Sequence, residues 1–400
     1  MKILFLSYYF EPDLCAGSFR NTALFKELLS HLTETDFVHV ITTQPNRYQS
    51  YKGSGKGVED VEFGSNYKIN RINVPKHSGS FFSLIKSFNA FYNASLKLTK
   101  NKDYDLVYAS SSRLFTAFLG KRIASKKKIP LYLDIRDIFV DTIKDLYKHR
   151  KIFQKPLIFC LKPIEKYTFS KASHINLVSE GFKEYFNQYK YPTYSFFTNG
   201  IDDIFLNIPI QLSVPSNPSD KTVIVYTGNI GSGQGLEKII PKAAKGLGDK
   251  FLFRIIGDGG TRCILEKAIR DSNLSNVEII DPVSRDQLIY HYISADFLFL
   301  HLNDFEAFKK VLPSKIFEYA VFNKPIIAGV GGYAQDFIRK NLPNSIIFNP
   351  TNVDEFLNQL DLYKTCSTHQ HNNNDFVELY ARKNIMKQMA KSILILNNTS

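Results

Sequence analysis

"VLPSKIFEYAVFNKPIIAGV", Val311 to Val330, decides how the chain is read. Pro313 and Ser314 open a helix, because proline fixes φ near the helical value and lacks an N–H that the first turn does not need. Glu318 follows one turn later. Asn323-Lys324-Pro325 ends the helix, and Ile326 to Val330, apolar and punctuated by glycine, reads as a strand buried on both faces. A helix feeding a buried strand is the repeating unit of a parallel sheet.

The same unit recurs in both directions. Strands are expected at Ile3–Ser7, Val38–Thr42, Lys68–Asn73, Leu106–Ala109, Leu131–Ile135, Ile175–Val178 and Ser195–Phe197, and then at Thr222–Tyr226, Phe251–Ile256, Val277–Ile280, Phe297–Leu300, Ile326–Ala328 and Ser345–Phe348. Amphipathic stretches separate them, a pattern that argues for parallel sheets covered by helices on both faces. Residues 207–220, "NIPIQLSVPSNPSD", read as a linker, dividing the chain into a first domain (1–206), a second (221–375) and a terminal helix (376–400) that packs back on the first domain. With 400 residues and 44% hydrophobic content, two cores can be filled.

No run approaches the roughly 18 apolar residues of a membrane span. "MKILFLSYYFEPD" reaches its "EPD" without a small-residue cleavage site, so it reads as a first buried strand of a cytoplasmic protein. Cys15, Cys160, Cys263 and Cys366 have no metal-ligand spacing and read as reduced thiols. The charge is lopsided: residues 1–200 hold 30 Lys+Arg against 17 Asp+Glu, and residues 201–400 hold 21 against 21, so the whole net +13 lies in the first half. Such asymmetry suggests that one domain faces an anionic surface.

In open α/β sheets, ligands sit beyond the carboxyl ends of strands. Three loops of this kind stand out. "YYFEPDLCAGSFR" places Gly17, Ser18 and Arg20 at a helix start, without a dinucleotide or P-loop fingerprint. "VYTGNIGSGQGLEKII" leaves backbone N–H groups around Gly228, Asn229 and Gly231 uncovered before a helix, and "IIGDGG" adds Gly257 and Asp258 in a second turn. In the opening stretch, the helix N-terminus with Ser314 and Lys315 can hold a diphosphate by backbone N–H groups, a hydroxyl and a cation together, and Glu318 can accept from the hydroxyls of a ribose. Each loop alone is also compatible with an unliganded turn or a capped helix.

Taken in order, "YYFEPDLCAGSFR", "LYLDIRDIF", "NLVSEGFKEYF", "FTNGIDDIF", "VYTGNIGSGQGLEKII", "FRIIGDGG", "ISADFLFLHL" and "LPSKIFEYAVFNKPIIAG" resemble the bacterial family-4 glycosyltransferases of the GT-B fold over nearly the whole chain. The branch most similar builds O-antigen and capsule and includes N-acetyl-L-fucosamine transferases. The resemblance implies two doubly wound Rossmann-like domains facing a central cleft, the first binding acceptor and the second binding donor. It further implies retaining transfer of a hexosyl or N-acetylhexosaminyl group from a UDP-linked nucleotide sugar, with no cofactor and no obligatory metal. Two departures from the family pattern are visible: Lys310 replaces a glutamate eight positions before Glu318, and Asn229 and Gln234 replace an Arg and a Lys of the glycine loop.

Donor contacts are expected from Gly17, Gly228, Asn229, Gly231, Gly257, Asp258, Ser314, Lys315 and Glu318, and acceptor contacts from Ser18 and Arg20. "LDIRDIF" ends a strand with Asp134, Arg136 and Asp137, charged groups suited to orient or deprotonate an attacking hydroxyl and to meet phosphate. These three are the expected catalytic residues, although an internal Asp–Arg pair fits the same pattern. Asp202-Asp203 in "NGIDDIF" read as turn or cap residues rather than a metal site.

"SGSFFSLIKSFNAFYNASLKLTKNK" and "LYKHRKIFQKPLIFCLKPIEKYTF" mix lysines with aromatics and suit the surface of an anionic membrane, which points to a protein peripheral on the inner face of the cytoplasmic membrane. An undecaprenyl-diphosphate-linked saccharide is the acceptor this implies, with no nucleic-acid partner. The competing readings are a UDP-sugar epimerase of the same fold and a non-catalytic sugar-nucleotide binding protein.

Overall fold

The computed structural model describes residues 1–46, 60–75, 81–111, 114–148, 150–208, 221–365 and 372–396. The expected linker 207–220 lies almost wholly outside the described residues, as does Cys366. The chain divides between Asn199 and Gly200, seven residues before the expected boundary, and again between Arg382 and Lys383, so that the last helix belongs to the first unit.

The first unit contains β1 (Lys2–Ser7), β2 (Phe37–Thr43), β3 (Val61–Phe63), β4 (Tyr67–Ile72), β5 (Leu106–Ser111), β6 (Leu131–Ile135), β7 (His174–Leu177) and β8 (Thr193–Ser195). They form one sheet in the order β3-β4-β2-β1-β5-β6-β7-β8, parallel except for the β3–β4 pair. The central strands bury both faces, as their unbroken apolar runs require: Ile3 to Leu6 and Leu106 to Ala109 have no exposed surface. β3, an exposed antiparallel edge of three residues, carries no periodicity by which the sequence could announce it. The eighth strand stops at Ser195 because side chains take over the backbone beyond it: Phe197 N–H donates to Asn176 Oδ1 at 2.7 Å.

The second unit contains β9 (Thr222–Asn229), β10 (Phe251–Asp258), β11 (Val277–Ile280), β12 (Phe297–His301), β13 (Ile326–Gly329) and β14 (Ser345–Phe348), all parallel, in the order β11-β10-β9-β12-β13-β14. Two apolar cores cover its faces, one including Val225, Leu298 and Phe317, the other Ile224, Phe253 and Phe356.

The expected single terminal helix is two, Asn374–Leu379 and Arg382–Ile395. Between them Ala381 bridges to Ile201 as in a parallel strand, Ile201 N–H donating to Tyr380 O at 2.8 Å and Arg382 N–H to Ile201 O at 2.8 Å. Asp202, expected to cap, makes no capping bond and instead pairs with Arg285 and Arg382.

Candidate active site

In the second unit the expected donor residues gather at the carboxyl ends of β9 and β10, which end in register, Gly257 beside Gly228 and Asp258 beside Asn229. Over Gly228 lies the side chain of Lys315. A Cβ on Gly228 would stand 2.6 Å from Lys315 Cε and 2.9 Å from Nζ, and the φ of +126° is one that L residues rarely adopt. Glycine is therefore what lets the ammonium reach the strand end, where Nζ donates to Thr227 Oγ1 at 3.2 Å. Thr227 Oγ1 in turn lies 2.7 Å from the Tyr292 hydroxyl, which donates to Glu318 Oε2 at 3.2 Å.

A chain of polar groups thus runs from Lys315 through Thr227 and Tyr292 to Glu318. Lys315 makes no ion pair among the described residues, and burial lowers its pKa from the usual lysine value, with Glu318 acting in the opposite sense. A cation held by one neutral hydroxyl in a partly buried place is stabilised by whatever anion arrives. Glu318 Oε1 takes no hydrogen bond among the described residues and is free to accept one.

The expectation that a helix N-terminus grips the anion needs correction. The helix Lys315–Ala320 has six residues and Ser314 makes no capping bond, too short a run of aligned peptides for a sizeable macrodipole. Lys315 carries the charge. Asn229 Nδ2 donates to Gln234 Oε1 at 2.7 Å, so the two residues at the basic positions of the resembling family bond to each other and close the loop over Gly231. Asp258 Oδ1 accepts from Gly259 N–H at 2.8 Å, the aspartate steadying its own turn. Thr227, Tyr292 and Tyr319, whose hydroxyl accepts from Thr227 N–H at 3.3 Å, were not among the expected residues. Thr227 lies inside the glycine-loop motif, but Tyr292 stands in an ordinary helix, Arg285–Ile293, and carries no sequence signal.

In the first unit the structure separates what the motif "LDIRDIF" put together. Asp134 and Arg20 have no exposed surface. Arg20 donates bidentately, Nε to Asp134 Oδ2 at 2.9 Å and Nη2 to Oδ1 at 3.0 Å, and its remaining bonds go to the carbonyls of Thr198 and Phe197 at 2.6 and 2.8 Å and to Met389 Sδ at 3.3 Å. Asn176 Nδ2, the Tyr108 hydroxyl and Ser110 Oγ also donate to the carboxylate, at 2.8, 3.2 and 3.4 Å. Burial acts to raise the Asp134 carboxyl, but the Arg20 guanidinium overrides it and holds the group below the usual aspartate value. Every bond of the pair is internal, so Asp134 is corrected from catalytic residue to structural ion and Arg20 from acceptor ligand to its partner. Ser18 is likewise fully buried.

Gly17, Arg136 and Asp137 remain. The Arg136 guanidinium packs on Gly17 so closely that a Cβ there would lie 1.9 Å from Nη1. Arg136 is half-buried, and its guanidinium makes no hydrogen bond or ion pair among the described residues. Burial lowers its pKa, and the neighbouring Arg20 acts in the same direction. Asp137, also half-buried, accepts from Thr142 Oγ1 at 3.2 Å. Gly17, expected to contact the donor, thus lies in the first unit against Arg136.

Two parallel-sheet α/β units, each with a candidate site at its strand ends, make up the GT-B fold of glycosyltransferases. Residues 208–379 match the model of the family described as "Glycosyl transferases group 1". Over 78 residues the chain is 38% identical to WcaI of Escherichia coli (strain K12), a protein named for glycosyl transfer in colanic acid biosynthesis. That alignment covers 20% of this chain and 18% of the relative, so the chain matches well under two thirds of that protein's length. Among solved structures, WaaG, a glycosyltransferase involved in lipopolysaccharide biosynthesis, superposes with a TM-score of 0.69 at 14% identity, covering 98% of this chain and 99% of its own. Anabaena Alr3699/HepE, solved in complex with UDP and glucose, gives 0.67 at 15% identity with 98% and 99% covered.

Proposed function

We propose that the chain is a retaining glycosyltransferase that moves a hexosyl or N-acetylhexosaminyl group from a UDP-linked donor to an undecaprenyl-diphosphate-linked saccharide in the synthesis of O-antigen or capsule. The observation that carries it is Lys315 held over Gly228 and bonded, among the described residues, only to the neutral Thr227 hydroxyl, with Glu318 two hydroxyls away. Lys315 takes the donor diphosphate, and Glu318 Oε1 accepts from the ribose. Breaking the bond between the anomeric carbon and the phosphate oxygen leaves the electron pair on the nucleoside diphosphate, where a preformed cation in a partly desolvated site is worth most. No metal is required for that role in this proposal. Asn229 and Gln234 shape the loop rather than neutralise phosphate, and Lys310 stands where the resembling family has its first glutamate.

The first unit presents the acceptor. Arg136 holds an anionic group of the acceptor, and Asp137 takes the proton of the attacking hydroxyl as its oxygen bonds to the face of the anomeric carbon that the phosphate leaves. Turnover of UDP-sugars with and without a lipid-linked saccharide tests the proposal. Transfer product only when acceptor is present supports it. Interconversion of the donor without acceptor favours an epimerase, and binding without turnover a non-catalytic receptor.

A further inference from the structure

The helix Lys151–Phe169 is apolar on two opposite sides. Its inner side holds Leu161, Thr168 and Phe169, all buried, together with Glu165, its sole carboxylate, which is 4% exposed and accepts from the Tyr185 and Tyr189 hydroxyls at 2.6 and 3.1 Å. On the outer side Ile152 is 85% exposed, Phe153 68% and Phe159 80%. Ile152, Pro156, Phe159 and Pro163 recur at i, i+4, i+7 and i+11, the spacing of one continuous stripe. Lys151, Lys155, Lys162 and Lys166, all exposed, run along one flank of it, and no carboxylate faces outward from this helix. Three large apolar side chains bared to water on one helix are costly unless covered.

We propose that this outer face is a membrane-docking surface, lying in the headgroup region of an anionic bilayer with Ile152, Phe153 and Phe159 inserted and the four lysines at the phosphates. An apolar stripe edged by cations alone complements such a surface. The prolines fit a helix that lies in the interface rather than one that crosses: each lacks the N–H that would bond the carbonyl four residues earlier, so the carbonyls of Ile152 and Phe159 need water, which headgroups supply and hydrocarbon does not. No described helix is long and apolar enough to cross a membrane. In the helix Phe81–Thr99, the other basic and aromatic stretch, three rings pack inward: Phe91 has no exposed surface, Phe88 lies against Tyr8 and Phe115, and Tyr92 stacks on Phe118.

The inference rests on the proposed lipid-linked acceptor only for its purpose, and its test uses neither donor nor acceptor. The chain has no tryptophan, so Phe159→Trp in the full chain gives a unique reporter. Its emission is expected to shift to the blue on phosphatidylglycerol vesicles, to be quenched by lipids brominated on their acyl chains, and to stay unchanged with phosphatidylcholine. A Tyr191→Trp control is expected to show neither change. In co-sedimentation, Lys151, Lys155, Lys162 and Lys166→Gln, and separately Ile152, Phe153 and Phe159→Ser, should each weaken partitioning at least tenfold, since each lysine near the surface contributes about 1 kcal/mol. The charge-matched variant Lys86, Lys97, Lys100 and Lys102→Gln should bind like the wild type. The proposal is overturned if the Phe159→Trp reporter does not respond, if neutral vesicles bind equally, or if the charge-matched variant alone releases the protein. It is also overturned if the serine variant converts a dimer into a monomer, which would show a second copy covering the face.

Discussion

Asp134→Ala is expected to unfold the first unit rather than to slow a chemical step. Removing the carboxylate leaves the Arg20 guanidinium fully buried with only the Thr198 and Phe197 carbonyls and Met389 sulfur around it, and takes one acceptor each from the Asn176 amide and the Tyr108 hydroxyl. Breaking a buried pair from one side costs about 3–5 kcal/mol. For a unit of this size each kcal/mol lowers the melting temperature by roughly 2–4 °C, so the first unit should melt roughly 6–20 °C earlier. The assay is a thermal scan of wild type, Asp134→Ala, Arg20→Met and the double variant at pH 7. The sign of the linkage makes that pH suitable: a carboxyl depressed in the folded state contributes fully above its unfolded value and loses the contribution only as pH falls through the folded one. The double variant should recover part of the loss, because no unpaired charge remains buried. An Asp134→Ala protein that melts like the wild type but fails to turn over would refute the structural assignment and return Asp134 to the chemistry.

The other expectations can be checked on the same protein. Lys315→Ala and Glu318→Ala should each weaken UDP binding by about 1.5–3 kcal/mol, read by calorimetry, while the melting temperature holds; wild-type affinity in both would reject the donor site. Asp137→Asn should lower kcat with UDP affinity unchanged, and the reverse result would move Asp137 out of the acceptor side. Burial lowers His39 and His301 to about 4 each, so both fold neutral while the unfolded chain binds protons below about 6.5. Stability should therefore fall as pH drops from 7 to 5, by roughly 2 kcal/mol per histidine, and His39→Gln should flatten part of that slope in denaturant titrations.

Local pattern carried the reading of this chain a long way. Every parallel strand but one could be placed from apolar runs bounded by Gly, Pro and polar clusters, since a strand buried on both faces has no other composition open to it; β8, polar and partly exposed, lies at Thr193–Ser195 rather than at the expected Ser195–Phe197. Gly228, Lys315 and Glu318 were legible too, because strand ends that lead into helices are where such sheets present ligand groups. The rest depended on partners far apart in the chain. "LDIRDIF" contains three charged residues that look alike from sequence, yet Asp134 meets Arg20, 114 positions away, and vanishes into the interior, while Arg136 turns onto Gly17, its guanidinium unbonded among the described residues. Tyr292 joins Thr227 and Glu318 only because its helix packs beside β9. On the helix Lys151–Phe169, periodicity shows two apolar sides without saying which is covered. Packing against the Tyr185 and Tyr189 hydroxyls takes one side and leaves Ile152, Phe153 and Phe159 outside, for burial is a property of what surrounds a side chain and not of the side chain itself.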